Sequence, residues 1–171
     1  MKVSIISPCY NNSKFIAEMI ESVISQSYTN WELLIVDDCS TDDSVKIIEN
    51  YAKKDNRIKL ITLDVNSGPA FSRNAAIDLA SGRFIAFLDS DDLWLPSKLH
   101  KQIKFMEENS FPFVFCSYDQ VDVDGRYKAT INAPPRLSYH DLLKSCSIGC
   151  LTVIYDTLHF GRVSMPDIKK R

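Results

Sequence analysis

Short runs of nearly uninterrupted apolar residues, spaced by segments of helical periodicity, constrain this chain more than any other feature. The runs cover residues 3–7, 32–36, 58–63 and 83–88. Between the first two, Phe15, Ile16, Met19, Ile20, Val23 and Ile24 recur at helical spacing, predicting a helix over 14–26. Val45, Ile47, Ile48 and Tyr51 mark a second helix, and residues 70–80 a third, ended by Gly82. A fourth follows Pro96 over 97–108, with Leu99, Ile103 and Met106 as its apolar positions and Phe105 alongside. Asn12 or Ser13 is expected to cap the first helix, and Ser40-Thr41-Asp42-Asp43 to open the second as a capping box. Strands that are apolar throughout are buried on both faces. The alternation therefore predicts an α/β fold, with a mainly parallel central sheet and helices on both sides.

The pattern changes after Pro112. A strand is expected over 113–118, a turn at 122–126 leading into 127–131, a short helix over 139–144 capped by Ser138, and a strand over 151–155. The tail from His159 has no clear period. At 171 residues the chain suits one domain, with a change of character near residue 110.

Charge excludes some partners. Twenty basic and 22 acidic side chains leave a formal net charge of -2, so no global field draws the chain to nucleic acid or an anionic membrane. The cysteines, Cys9, Cys39, Cys116, Cys146 and Cys150, form no CxxC and are odd in number, as expected of buried thiols in a reducing compartment. The apolar start is too short and too soon broken for a signal peptide, and no run approaches the roughly 20 apolar residues of a membrane helix. A cytoplasmic location is expected. His100, His140 and His159 are scattered and suit ordinary surface roles.

In a parallel sheet the ligand sits beyond the carboxyl ends of the strands. The windows that matter are thus 8–12, 37–41, 66–68 and 89–92. Asp89-Ser90-Asp91-Asp92 crowds three carboxylates against a buried strand, which a hard divalent cation would relieve; an Asx turn leading into a helix is the plainer alternative. Asp37-Asp38 could cap the next helix or accept hydrogen bonds from a base or ribose. Tyr10, after Pro8, could stack on a base, though alone it reads better as an aromatic closing the core edge. Arg73 could pair with phosphate or hold the aspartates by an ion pair. Neither G-x-x-x-x-G-K-[ST] nor G-x-G-x-x-G is present, which disfavours ATPases and dinucleotide oxidoreductases. A nucleotidyltransferase would want a Gly-rich basic loop after the first strand, and residues 8–12 do not supply one.

Taken together, these segments resemble glycosyltransferase family 2, which has the GT-A fold. The resemblance is carried by residues 3–11 and 23–27, by Trp31 through Asp37-Asp38 to Asp42, by Asn66-Ser67-Gly68-Pro69 with Arg73-Asn74, and by residues 82–94 ending Asp91-Asp92-Leu93-Trp94. It covers about the first 110 residues and is looser beyond Phe113. It implies a nucleotide-sugar-binding half over 1–110 and the start of an acceptor-side half over 111–171, together one domain. Tyr10 and Asp38 would contact the base, with Pro8 shaping the pocket and Asp37 beside it. Arg73 would lie near the nucleotide and Asp89 would face the ribose and sugar. Asp91, with Asp92 sharing the task, would hold Mn2+ or Mg2+ bridging the diphosphate. Gly149, Leu151 and Thr152 could line the acceptor side or belong to a core strand.

The resemblance further implies inverting transfer from a nucleotide-diphospho-sugar, usually a UDP-sugar, to a glycan or lipid-linked acceptor. Such work in cell-envelope glycan synthesis suits an enzyme peripheral to the inner membrane face. The family's general base is typically the Asp of an acidic pair followed by a helix. The tail Met165-Pro166-Asp167 resembles the approach to it, but Asp167 lacks the acidic neighbour. The base is therefore expected beyond Arg171, with the chain a fragment whose uncovered apolar surface favours a homodimer; the alternative is a short variant whose base differs from the family pattern. A nucleotide-sugar-binding module without turnover is the other reading that fits these motifs.

Overall fold

The computed structural model describes residues 1–145 and 148–166. Asp167 and Cys146 lie outside the described residues. The order is β1 (Val3–Cys9), α1 (Ile16–Ile24), β2 (Trp31–Asp37), α2 (Ser44–Ala52), β3 (Ile58–Thr62), α3 (Pro69–Leu79), β4 (Phe84–Phe87) and α4 (Lys98–Asn109). Then come β5 (Phe113–Val114), β6 (Tyr118–Val121), β7 (Tyr127–Ile131), α5 (Tyr139–Lys144), β8 (Ile154–Asp156) and α6 (Thr157–Phe160). Six strands form one sheet in the order β3-β2-β1-β4-β8-β5, while β6 and β7 pair as a separate hairpin. β1 to β4 are parallel, and β8 runs antiparallel to both β4 and β5.

The apolar strands divide their residues between two cores. Ile5, Leu33, Ile35 and Ala86 point to the face covered by Met19, Ile20 and Val23 of α1, Ile48 of α2, and Leu99, Ile103 and Met106 of α4. Ile6, Leu34, Val36, Ile85 and Phe87 point to the other face, against Ala76 and Ile77 of α3. This period-2 division is why the runs carry no polar alternation. Gly82 serves close approach: a Cβ there would lie 2.7 Å from the Ser4 nitrogen and 2.8 Å from the Lys2 oxygen.

Several local expectations are corrected. Pro8 lies inside β1, not after it. β4 pairs with β1 only as far as Ile6, so no ladder bond is lost at the proline. Neither Asn12 nor Ser13 caps α1 by its side chain. The Asn12 carbonyl instead accepts from the Phe15 and Ile16 N–H groups. Ser40 opens no capping box; α2 starts at Ser44, whose N–H donates to Asp42 Oδ1. Phe105 is exposed. The strand expected over 113–118 is cut to two residues, after which the chain leaves the sheet for the hairpin. Over 151–155, residues 150–152 form a 3-10 turn before β8, because Trp94 Nε1 and Gln102 Nε2 donate to the Leu151 and Thr152 carbonyls. The capping box at Ser138 is present, with Asp141 as its partner. No described helix is long and apolar enough to cross a membrane.

Candidate functional site

The strand order reverses between β1, which is followed by β2 on one side, and β4, which lies on the other. At such a switch point the loops leaving the two strands diverge and open a crevice. Here they enclose a cleft of about 430 Å3, lined by Pro8, Tyr10, Asp38, Asn66, Gly68, Arg73, Asp89 and Asp91 among others. All four windows read from the sequence contribute to it.

Hydrogen bonds between loops hold the cleft open in one shape. The Asn11 N–H donates to Ser40 Oγ at 2.8 Å, and Asn11 Oδ1 accepts from the Thr41 N–H at 2.7 Å. Both Asn11 and Cys39 adopt positive φ, 47° and 65°, which turns the two loops towards each other. Asn12 Nδ2 donates to Ser90 Oγ at 2.7 Å and so joins the carboxyl ends of β1 and β4.

Asp38 has a specific structural task. Its Oδ1 accepts from the Ser67 N–H at 2.7 Å and its Oδ2 from the Gly68 N–H at 2.8 Å. It therefore sets the loop that begins α3, where Gly68 takes φ 87°. Each oxygen keeps a further lone pair for a ligand donor. Asp37 is buried behind this wall and does not line the cleft; its Oδ2 accepts from the Ser40 N–H, and its Oδ1 has no partner. Tyr10 is 52% exposed, with its ring at the cleft edge rather than in the core.

Arg73, on the first turns of α3, makes an ion pair with Asp89 at 2.5 Å. Of the two roles open to it, the ion pair is therefore formed in this structure. Its buried Nε has no partner. Asp91 is exposed and lines both this cleft and a second cavity, while Asp92 lines only the second. Among the described residues Asp92 pairs with no cation, and burial, then Asp89, then Asp91, push its carboxyl up to about 6. A cation would relieve that crowding. Among the described residues no three His, Cys, Asp or Glu side chains cluster as a metal site. A hard cation held by Asp91 and Asp92 would have to draw its other ligands from phosphate and water.

The second cavity, about 620 Å3, lies between α4, the loop carrying Trp94 and the β6–β7 hairpin. Leu151 and Thr152 line it. Gly149 does not, but packs under Tyr118, whose ring would lie 2.9 Å from a Cβ at that position. Asn12 and Ser90 fall inside the sequence windows without standing out as site residues, and Lys98 and Gln102 fall in none of them. Asn12 and Ser90 carry neither charge nor ring, so only their positions after strands hinted at them. The signal for Lys98 and Gln102 was polarity on the buried face of α4, beside Leu99 and Ile103.

A parallel sheet with a switch-point cleft, aspartates at the strand ends and an antiparallel β8 defines a GT-A type fold. The chain belongs to glycosyltransferase family 2, whose family model, Glycosyl transferase family 2, matches residues 4–158. It is 46% identical over 99% of its length to the putative teichuronic acid biosynthesis glycosyltransferase TuaG of Bacillus subtilis, spanning 68% of that protein. It is 44% identical over 98% of its length to WfgD of Escherichia coli, a UDP-Glc:alpha-D-GlcNAc-diphosphoundecaprenol beta-1,3-glucosyltransferase, spanning 65% of it. The fold superposes on S. aureus TarS 1-349 in complex with UDP with a TM-score of 0.77 and 31% identity, covering 97% of this chain and 50% of that one.

Proposed function

We propose that this chain forms the donor-binding part of an inverting glycosyltransferase that takes a UDP-sugar and a divalent cation, Mn2+ or Mg2+. The acceptor is a glycan or lipid-linked hydroxyl in cell-envelope glycan synthesis, reached from the cytoplasmic face of the membrane. The observation that carries this reading is the position of Asp91, shared between the cleft at the switch point and the second cavity. A donor in the first and an acceptor in the second would meet at that carboxylate.

In this reading Tyr10 stacks on the uracil and Asp38 accepts from it, while Pro8 shapes the pocket and Asp37 stiffens it from behind. Arg73 and Asp89 orient the ribose and sugar, with the Arg73 guanidinium near the phosphates. Asp91 and Asp92 hold the cation, which when bound supplies charge stabilisation to the departing diphosphate. The chain's own contribution is to orient the anomeric carbon towards the second cavity and keep the carboxylates in place. No described carboxylate is assigned as general base. The names of the relatives, a UDP-Glc transferase and a protein crystallised with UDP, support the choice of UDP.

Asp91→Ala tests the role of the shared carboxylate. In equilibrium dialysis with a UDP-sugar and Mn2+, the variant is expected to lose about a hundredfold in affinity, the scale of removing one charged contact to a metal–phosphate centre. Affinity equal to the wild type would remove Asp91 from the cation site.

A further inference from the structure

Lys98 opens α4, and its Nζ is buried at the second cavity with no hydrogen-bond partner. It lies over the Trp94 ring, 3.6 Å from the centroid. Three things oppose a charge there: removal from water, the positive end of the α4 dipole, and the lack of any salt bridge to it among the described residues. The cation–π contact offsets only part of that cost. Burial pushes the ammonium down to about 7, against the opposing pull of the Cys116 and Cys150 thiols. One turn further on, Gln102 is only 8% exposed; its Nε2 donates to the Thr152 carbonyl at 2.9 Å, and its Oε1 is buried without a partner. A buried donor and a buried acceptor thus stand at i and i+4 on one face of α4, beside the same cavity. A pair of apolar side chains would pack there without leaving polar groups unmatched.

We propose that Lys98 and Gln102 form the acceptor subsite, Lys98 pairing with an anionic group on the acceptor sugar and Gln102 accepting from one of its hydroxyls. This deepens the glycosyl-transfer reading and rests on it. The cavity shares Asp91 with the donor cleft, so its occupant lies beside the donor. Glu18, Asp91, Asp92, Asp119 and Asp122 also line the cavity, against two lysines, Lys98 and Lys101; of the two only Lys98 has a buried Nζ without a partner, so the anion is placed against it. The anion is a phosphate or a carboxylate, since both match an ammonium.

Calorimetry on the whole chain, with UDP and Mn2+ present, separates the sources: N-acetylglucosamine 1-phosphate, glucuronic acid, neutral N-acetylglucosamine and inorganic phosphate. One of the two anionic sugars is expected to bind at least tenfold tighter than the neutral sugar and than inorganic phosphate. Lys98→Met should abolish that preference and change UDP affinity less than twofold. Its Tm should rise, because an uncompensated buried charge is removed. Gln102→Leu should weaken charged and neutral sugars by the same factor. The wild-type Lys98 amine, followed by NMR, should titrate at higher pH once the anionic sugar is added. Retention of the preference in Lys98→Met, or no preference in a wild type that binds UDP, would overturn the inference. An anion preference without UDP binding would uphold the subsite and remove the donor reading instead.

Discussion

Asp38→Ala should collapse the donor cleft while leaving the sheet folded. The carboxylate accepts two backbone N–H groups, from Ser67 and Gly68, and no other side chain replaces it. Leaving both donors unmatched in a partly buried loop costs about 2–3 kcal/mol, and the start of α3 loses its anchor. UDP affinity should fall by about two orders of magnitude, because the wall that positions the base is no longer preformed. Asp38→Asn keeps one acceptor oxygen and should fall between the two. Denaturant melts and UDP titrations on the three proteins check this; a wild-type affinity in Asp38→Ala would mean the loop holds itself.

Glu32 should give the largest stability effect, at the opposite end of the sheet. Its side chain is 1% exposed, yet it is charged. Oε1 accepts from Ser4 Oγ, the Ser81 N–H and Ser81 Oγ at 2.7, 2.7 and 2.8 Å. Oε2 accepts from Lys2 and Lys59 at 2.8 and 3.0 Å. Burial alone would raise the carboxyl, but Lys2, Ser4, the Ser81 N–H and Lys59 together hold it well below the usual range. Glu32→Gln confronts two ammoniums with an amide and should cost about 3 kcal/mol, less than a fully buried pair because both lysines are partly solvated. Since the folded group is depressed, its stabilisation is complete above its ordinary value of 4.5 and is lost as pH falls below it. Acid melts should therefore separate wild type from Glu32→Gln at pH 6 and bring them together towards pH 3. A constant gap across that range would place the stabilisation elsewhere. UDP binding at pH 7 should be unchanged.

The parts of the fold that were legible are those where burial dictates composition. β1, β2 and β4 are covered on both faces, so their apolar runs announced strands, and the loops that follow them had to meet at one edge. Helix starts were less legible because side chains were claimed by tertiary contacts. Asn12 reads as a cap but donates to Ser90, and Ser40 reads as a capping box but accepts from Asn11. Residues 150–152 look like a strand, but their carbonyls are taken by Trp94 and Gln102, donors distant in sequence. In the cleft, the acidic windows placed Asp38, Asp89 and Asp91 at the lining, while Asp37 and Asp92 stay out of it. They did not show how Asp37 and Asp38 divide the work, since one faces backwards and the other forwards and only the register of β2 decides which.

The most direct test of the central claim is calorimetric titration of the wild-type chain with UDP, and with GDP for comparison, in the presence and absence of Mn2+. A preformed donor site that uses Asp91 and Asp92 with a cation requires UDP to bind with Mn2+, at least tenfold more weakly without it, and more tightly than GDP. Binding of neither nucleotide with Mn2+ present, or UDP affinity that ignores the metal, would contradict that account.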